Sequence, residues 1–403
     1  MHVVYRELEG RSKAYWALLL GLGAVLLLGL FAAHTMEERG HIITGMTNQI
    51  VWGMPHVFAV FLIVAASGAL NVASIASVFG KTAYKPLAPL SGLVAIALLA
   101  GGLMVLMLDL GRPDRLLVAA TVYNFKSVFA WNVFLYTGFF TFVIIYLWTM
   151  MERKMNPYTK AAGFAAFIWR LVLTTGTGSI FGFLVARTAY DSALLAPMFI
   201  IFSFAYGLAV FNLVLMAAYR GSGRPLGDRM LFRLGKLLAV FVGASFYFVL
   251  VYHLTNLYFT KNHGFERFIL LDGGIYPLLF WGGQIVVGYL IPLLLIFAPA
   301  TRNSRTALAA ASLLVILGAF AQMYVTIIGG QAYPLPLFPG MQVSSTFYDG
   351  VVHPYTPSGW EIMLGFGGVA LSLAIVVFGL KILRFLPESL SDDQHMEAQH
   401  QAA

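Results

Sequence analysis

His56 stands four residues after Trp52 at the head of a long apolar run. Asp109 closes the next such run in the string Asp109-Leu110-Gly111-Arg112-Pro113-Asp114-Arg115. Imidazole titrates near neutral pH and both donates and accepts protons, and a carboxyl group in low-dielectric surroundings holds its proton more tightly than in water. Together they supply the ingredients of a proton-active pocket. Other polar residues interrupt or bound later apolar runs: Thr174-Thr175-Gly176-Thr177-Gly178-Ser179, His253 with Asn256, Trp281-Gly282-Gly283-Gln284, and Pro357-Ser358-Gly359-Trp360-Glu361. Each also has a plainer reading. A histidine can simply bond across helices, and a Thr/Gly/Ser run can serve close helix packing. Asp109 to Arg115 can be a helix stop with Gly111 as cap, Pro113 as breaker and an ion pair at the rim. Trp360 with Glu361 can be an interfacial anchor.

The elements that must position these residues are apolar. Hydrophobic residues make up 60% of the 403 and charged residues only 10%, whereas a soluble domain carries roughly 25% charged residues. The expected fold is therefore an all-α integral membrane protein. Runs of about 20 apolar residues predict ten spans, near 14–34, 51–79, 87–109, 127–151, 162–187, 194–219, 235–259, 276–298, 305–328 and 359–385. The first run lacks a small-residue cleavage site and reads as a retained span. Between spans nine and ten lies a long loop, 329–358, rich in Pro, Gly and aromatics, and 386–403 reads as a polar C-terminal tail. Of the 25 Lys and Arg, 17 fall on the side of the two termini and seven on the other. The positive-inside rule then predicts both termini in the cytoplasm and the 329–358 loop outside. It also sets His56, Asp109, His253 and Glu361 in the outer half of the membrane or at its rim.

The net charge of +8 sits in short loops between spans, which is a topology signal and no nucleic-acid footprint. Cysteine is absent, so the protein cannot itself hold an iron–sulfur cluster, a thiolate zinc site, a c-type haem or a disulfide. No metal site is expected. Two other classes stay open. A haem-b membrane anchor needs facing histidines, and His56 with His253 are the pair clearly inside spans. A transporter-like or proton-translocating protein also fits ten spans, with Arg170 near the inner end of span five as the start of an inward half-channel.

At these residues the sequence resembles the NrfD/polysulfide-reductase membrane-subunit family. The resemblance is best to its ten-span branch, which includes HybB-type hydrogenase subunits and the DsrP subunits of sulfite-reductase-linked complexes. It rests on His56-Val57-Phe58-Ala59-Val60 with Ala65-Ala66-Ser67-Gly68, on Asp109-Leu110-Gly111-Arg112-Pro113, on the span-five run ending Gly178-Ser179, and on Pro357-Ser358-Gly359-Trp360-Glu361. It implies two four-helix bundles, spans two to five and six to nine, flanked by spans one and ten. It further implies a quinone-reactive subunit, without a redox cofactor of its own, in an oxidoreductase complex of the bacterial cytoplasmic membrane serving sulfur metabolism. Menaquinone or ubiquinone would bind at the outer face beside a periplasmic, ferredoxin-like iron–sulfur subunit, with multihaem cytochrome c and further membrane subunits as additional partners. The family's quinone-contacting histidine corresponds to His56. Where some members carry Tyr or His in span five this protein has Thr174 to Thr177, which leaves the second quinone contact open. On this reading His56, Asp109 and Glu361 are the catalytic candidates. Trp52, Arg112, Thr175, Ser179 and His253 complete the pocket and relay, with Arg112 or Arg115 expected to pair with Asp109.

Overall fold

In hydrocarbon no water is available to the backbone, so each N–H and C=O must find its partner inside the protein, and long apolar runs fold as helices. The computed structural model describes residues 3–335 and 350–392. In it ten helices of 23 to 31 residues are long and apolar enough to cross a membrane. They are α1 Lys13–Arg39, α2 Met54–Ser77, α3 Thr82–Leu108, α4 Val128–Met151, α5 Arg153–Gly182, α6 Leu195–Ser222, α7 Asp228–Tyr258, α8 Ile275–Phe297, α9 Arg305–Ala332 and α10 Gly359–Ile382.

All ten expected spans are present, and the differences lie at their ends. Helix α7 begins at Asp228 because exposed Arg229, Arg233 and Lys236 alternate with buried Met230, Leu231 and Leu234, so the helix continues past the apolar run. Helix α9 continues to Ala332, which takes 329–332 out of the expected loop; residues 336–349 of that loop lie outside the described residues. The expected polar tail is in part a packed segment. Phe385, Leu386 and Leu390 are buried, β2 (Leu386–Pro387) pairs antiparallel with β1 (Tyr5–Arg6), and Leu390 bridges Leu226. Residues 393–403 lie outside the described residues. The strand pair ties the two ends of the protein to one membrane face, and an even number of spans requires the same.

Helices α2 to α5 form one bundle and α6 to α9 the other, with α10 laid across α2 and α3 and α1 packed on α10. Small residues set the crossings, as membrane helices without a hydrophobic drive to associate require. At the centre, α2 meets α6 with Gly68 against Ser203 and Gly207; a Cβ on Gly68 would lie 1.5 Å from the Ser203 carbonyl oxygen. Gly29 of α1 meets Gly367 of α10 in the same way. Helix α8 runs in wide π turns over Leu278–Leu290, and its Gly288 touches Gly318 of α9.

The α2–α6 crossing has no room to give on the backbone side. Gly68→Ala should destabilise the protein by about 1–3 kcal/mol, the usual cost of overpacking, and lower its melting temperature in detergent. Gly21→Ala, on the open face of α1, serves as the control. Equal melting temperatures for the two variants would show that the bundles can separate at this point.

Candidate functional site

Three segments converge at the membrane face opposite the termini. After α1 the backbone turns through a short 3-10 helix, His41–Ile43; α2 begins at Met54 with Pro55 in its first turn; and α3 ends with Asp109 as its cap. The Asp109 carboxylate is buried, with 1% side-chain exposure, between two imidazoles. His56 Nδ1 lies 2.9 Å from Oδ2, and His41 Nε2 lies 3.6 Å from Oδ1. Gly111 makes the convergence possible. Its φ of +68° turns the backbone away from the membrane, and a Cβ there would press on the His41 ring at 3.1 Å.

The His56–Asp109 contact is the closer of the two and joins the start of α2 to the end of α3. A buried carboxylate needs such partners, because removing one leaves a charge without compensation. Burial acts to raise the Asp109 pKa, but the two imidazoles outweigh it and hold the carboxyl below its usual value. The same carboxylate raises the pKa of His41 against the opposing effect of burial, with a smaller contribution from Glu361. The arrangement is a carboxylate that favours its ionised form beside a histidine whose protonated form it stabilises.

Aromatic rings close the other side. Trp52 stacks on His56 with centroids 6.0 Å apart, meets Phe181 edge-on at 5.7 Å, and approaches Phe129 and Tyr190 at 6.0 and 6.4 Å. The segment carrying Trp52 is fixed by Gln331 of α9. Its Oε1 accepts from the Val51 and Trp52 N–H groups, each at 3.0 Å, and its Nε2 donates to the Trp52 carbonyl. Arg187 in turn donates to the carbonyls of Gln331 and Gln49.

Glu361 is near this centre but occupied. Ser358 and Glu361 form a capping box on α10, and the carboxylate also accepts from Gly45 N–H at 2.8 Å and from the Tyr355 hydroxyl. Tyr355 oxygen accepts from Met54 N–H at 2.6 Å, at the start of α2. Glu361 thus clamps three segments together, and Gly45 and Gly53 lie too close to its network to carry a Cβ. Burial, then Glu361, push the Tyr355 phenol well above its usual pKa, so it stays protonated and donating.

Other expectations need correction. Arg112 is exposed and bonds Asp114 through both ends of its fork at 3.0 and 2.9 Å; neither it nor Arg115 pairs with Asp109, because Gly111 has already turned the backbone outward. Thr175 is exposed on α5 and donates to the Leu171 carbonyl of its own helix, as Thr174 and Thr177 do to Arg170 and Leu173. Ser179 is buried next to Gly178, whose neighbours are Leu195 and Ala196 of α6, so this run packs the bundles. His253 belongs to a separate cluster in the second bundle, bonded to Glu266 at 2.7 Å, with Asn256 completing the carboxylate at 2.8 Å. His56 and His253 each face their own carboxylate, so the facing pair of a bis-histidine haem is not assembled. Arg170 is enclosed by the Phe167 and Phe204 rings and donates to the Ser67 carbonyl, between the bundles. Among the described residues no group of three or more His, Asp or Glu is arranged to hold a metal ion.

His41 and Gln331 were not singled out from the sequence. His41 lies in a loop with no periodicity, and Gln331 falls inside what reads as the long loop; the Ser358-x-x-Glu361 capping pattern was the one legible signal for the clamp.

Comparison with known proteins agrees with this geometry. Residues 42–334 match the family model described as "Polysulphide reductase, NrfD". The "Hdr-like menaquinol oxidoreductase integral membrane subunit" of Archaeoglobus fulgidus is 30% identical over 96% of this protein and 98% of its own length. A putative dimethyl sulfoxide reductase membrane subunit of Halobacterium salinarum is 27% identical, with 90% and 89% covered. A polysulfide reductase component of Wolinella succinogenes is 23% identical, with 71% and 96% covered. With ten membrane helices, a His–Asp–His centre at one face and a family match over most of its length, the protein belongs to the polysulphide reductase NrfD family.

Proposed function

We propose that the protein is the quinone-reactive membrane subunit of a multi-subunit respiratory oxidoreductase, with the quinone head group held between His56 and the Trp52 aromatic cluster. The observation that carries this reading is the buried Asp109 carboxylate flanked by two imidazoles, with the Trp52 ring stacked on one of them. Quinol oxidation releases two electrons and two protons. With Nδ1 facing Asp109, the His56 Nε2 is the nitrogen left to accept a hydroxyl proton from a quinol or to donate to a quinone carbonyl. The Asp109 charge stabilises the imidazolium that forms, as a carboxylate does behind a general-base histidine. His41, one-third exposed, is the outlet toward water. The name of the Archaeoglobus relative favours menaquinone over ubiquinone.

The excess of Lys and Arg on the termini side supports cytoplasmic termini, which sets the centre toward the periplasm of a bacterial cytoplasmic membrane. Without cysteine the protein offers no thiolate for an iron–sulfur cluster. The electron carrier next to the quinone is then a partner subunit on that face, of iron–sulfur, ferredoxin-like type. Sulfur compounds are the favoured terminal substrates, by analogy with the Wolinella relative.

His56→Ala should lower menaquinol-linked electron transfer per assembled complex by about 10²–10⁴-fold, the range for losing a general acid–base group; unchanged turnover would leave His56 a structural residue. In Asp109→Asn, His41 loses the negative neighbour that raises its pKa. The inflection that His41 contributes to the pH–rate profile should therefore move to lower pH. A profile superposing on wild type would uncouple Asp109 from the reaction. Glu361→Gln should chiefly lower the yield and thermal stability of the complex, with turnover per intact complex retained; loss of turnover at normal stability would restore Glu361 to the relay.

A further inference from the structure

A cavity of about 960 Å³ lies far from the His–Asp–His centre. It opens at the opposite membrane face, between the start of α1, the end of α6 and the end of α10. Its deeper walls are apolar, from Leu18 and Leu22 of α1, Val214 and Ala218 of α6, and Leu373 and Val377 of α10. The gap exists because α1 packs mainly on α10 and is largely exposed along its length, leaving its other side away from α6.

The rim is basic. Arg6 is matched by Glu388 at 3.2 Å, which takes one charge of each sign out of account. Arg224 reaches the rim with its guanidinium held by the backbone carbonyls of Arg6, Glu7 and Leu386, and no carboxylate faces it among the described residues. Arg11 lines the opening with no ion-pair partner among the described residues. Beside it, Lys381 lies over the Trp16 ring at 4.4 Å and the Tyr15 ring at 5.5 Å, again without a carboxylate. Lys381 borders the opening beside Gly10; of the nearby carboxylates, Glu9 lines the opening, Glu388 is paired with Arg6 and Glu7 with Arg384. Apolar depth, an aromatic pair at the interface and a net positive mouth match one membrane constituent in both of its parts.

We propose that this groove is a binding site for an anionic phospholipid of the leaflet on the termini side, with acyl tails between α1, α6 and α10 and the phosphate at Arg11, Arg224 and Lys381. Basic pockets between membrane helices select anionic head groups through such charges. The site would hold the weakly packed α1 and the paired termini against the bundles.

The test is lipid retention by native mass spectrometry on the full-length protein, delipidated in mild detergent and titrated with phosphatidylglycerol or phosphatidylcholine. Phosphatidylglycerol should be retained well above phosphatidylcholine. Arg11→Gln and Arg224→Gln should each lower phosphatidylglycerol retention by about fivefold while leaving phosphatidylcholine unchanged. Ala218→Phe, which fills the groove, should lower both. Arg224 also anchors the termini; exposed Arg11 does not, so its variant keeps the test valid if Arg224→Gln misfolds. Equal retention of the two lipids, or no effect of Arg11→Gln, overturns the proposal. So does displacement of the lipid by inorganic phosphate alone, which would indicate a simple anion site, or expulsion of the lipid when the complex assembles, which would indicate a partner helix.

Discussion

An ionised carboxylate at the edge of hydrocarbon must be matched by positive charge, and at Asp109 the match is made by histidine. Arginine would fix the charge state of the centre permanently, whereas imidazole leaves it adjustable near neutral pH. The two segments carrying His41 and His56 come together with the end of the next span at Asp109, at 3.6 and 2.9 Å. Much of the surrounding structure follows from that demand.

The supporting groups show how it is met. Glu361 gathers the turn at Gly45, the cap of α10 and, through Tyr355, the first N–H of α2, so one buried carboxylate fixes the helix that bears His56. Gln331 and Arg187 fix the backbone around Trp52 from α9 and from the segment after α5. These acceptors are filled by aligned donors. Their work is positional.

The ten helices were legible because an apolar run of 20 residues has few alternatives in a membrane. Their ends were less so, since α7 continues on an amphipathic pattern and α9 continues through Gly329 and Gly330, residues that read as loop. His56 and Asp109 were legible as polar residues out of place. Their partners were not. Sequence adjacency suggested Arg112 for Asp109, but a single left-handed glycine at 111 reverses the backbone between them and brings in His41, about 70 positions away in sequence. The span-five threonines looked like pocket residues because hydroxyls are polar, yet a threonine inside a helix can donate to the carbonyl four residues back, and these do.

The same two residue types occur together a second time, and the difference between the two pairs is informative. His253 and Glu266 lie at the same membrane face as His56 and Asp109, in the second bundle, at a similar separation. Glu266 has both oxygens engaged, one with His253 and one with Asn256, and Asn262 supports Asn256 in turn. Asp109 is likewise buried and has the same class of partner, but two imidazoles flank it and an aromatic ring stacks on one of them. Residue type alone would nominate both pairs; they differ in that the second carboxylate is hydrogen-bonded within its own bundle, whereas the first has stacked aromatic rings beside its histidine.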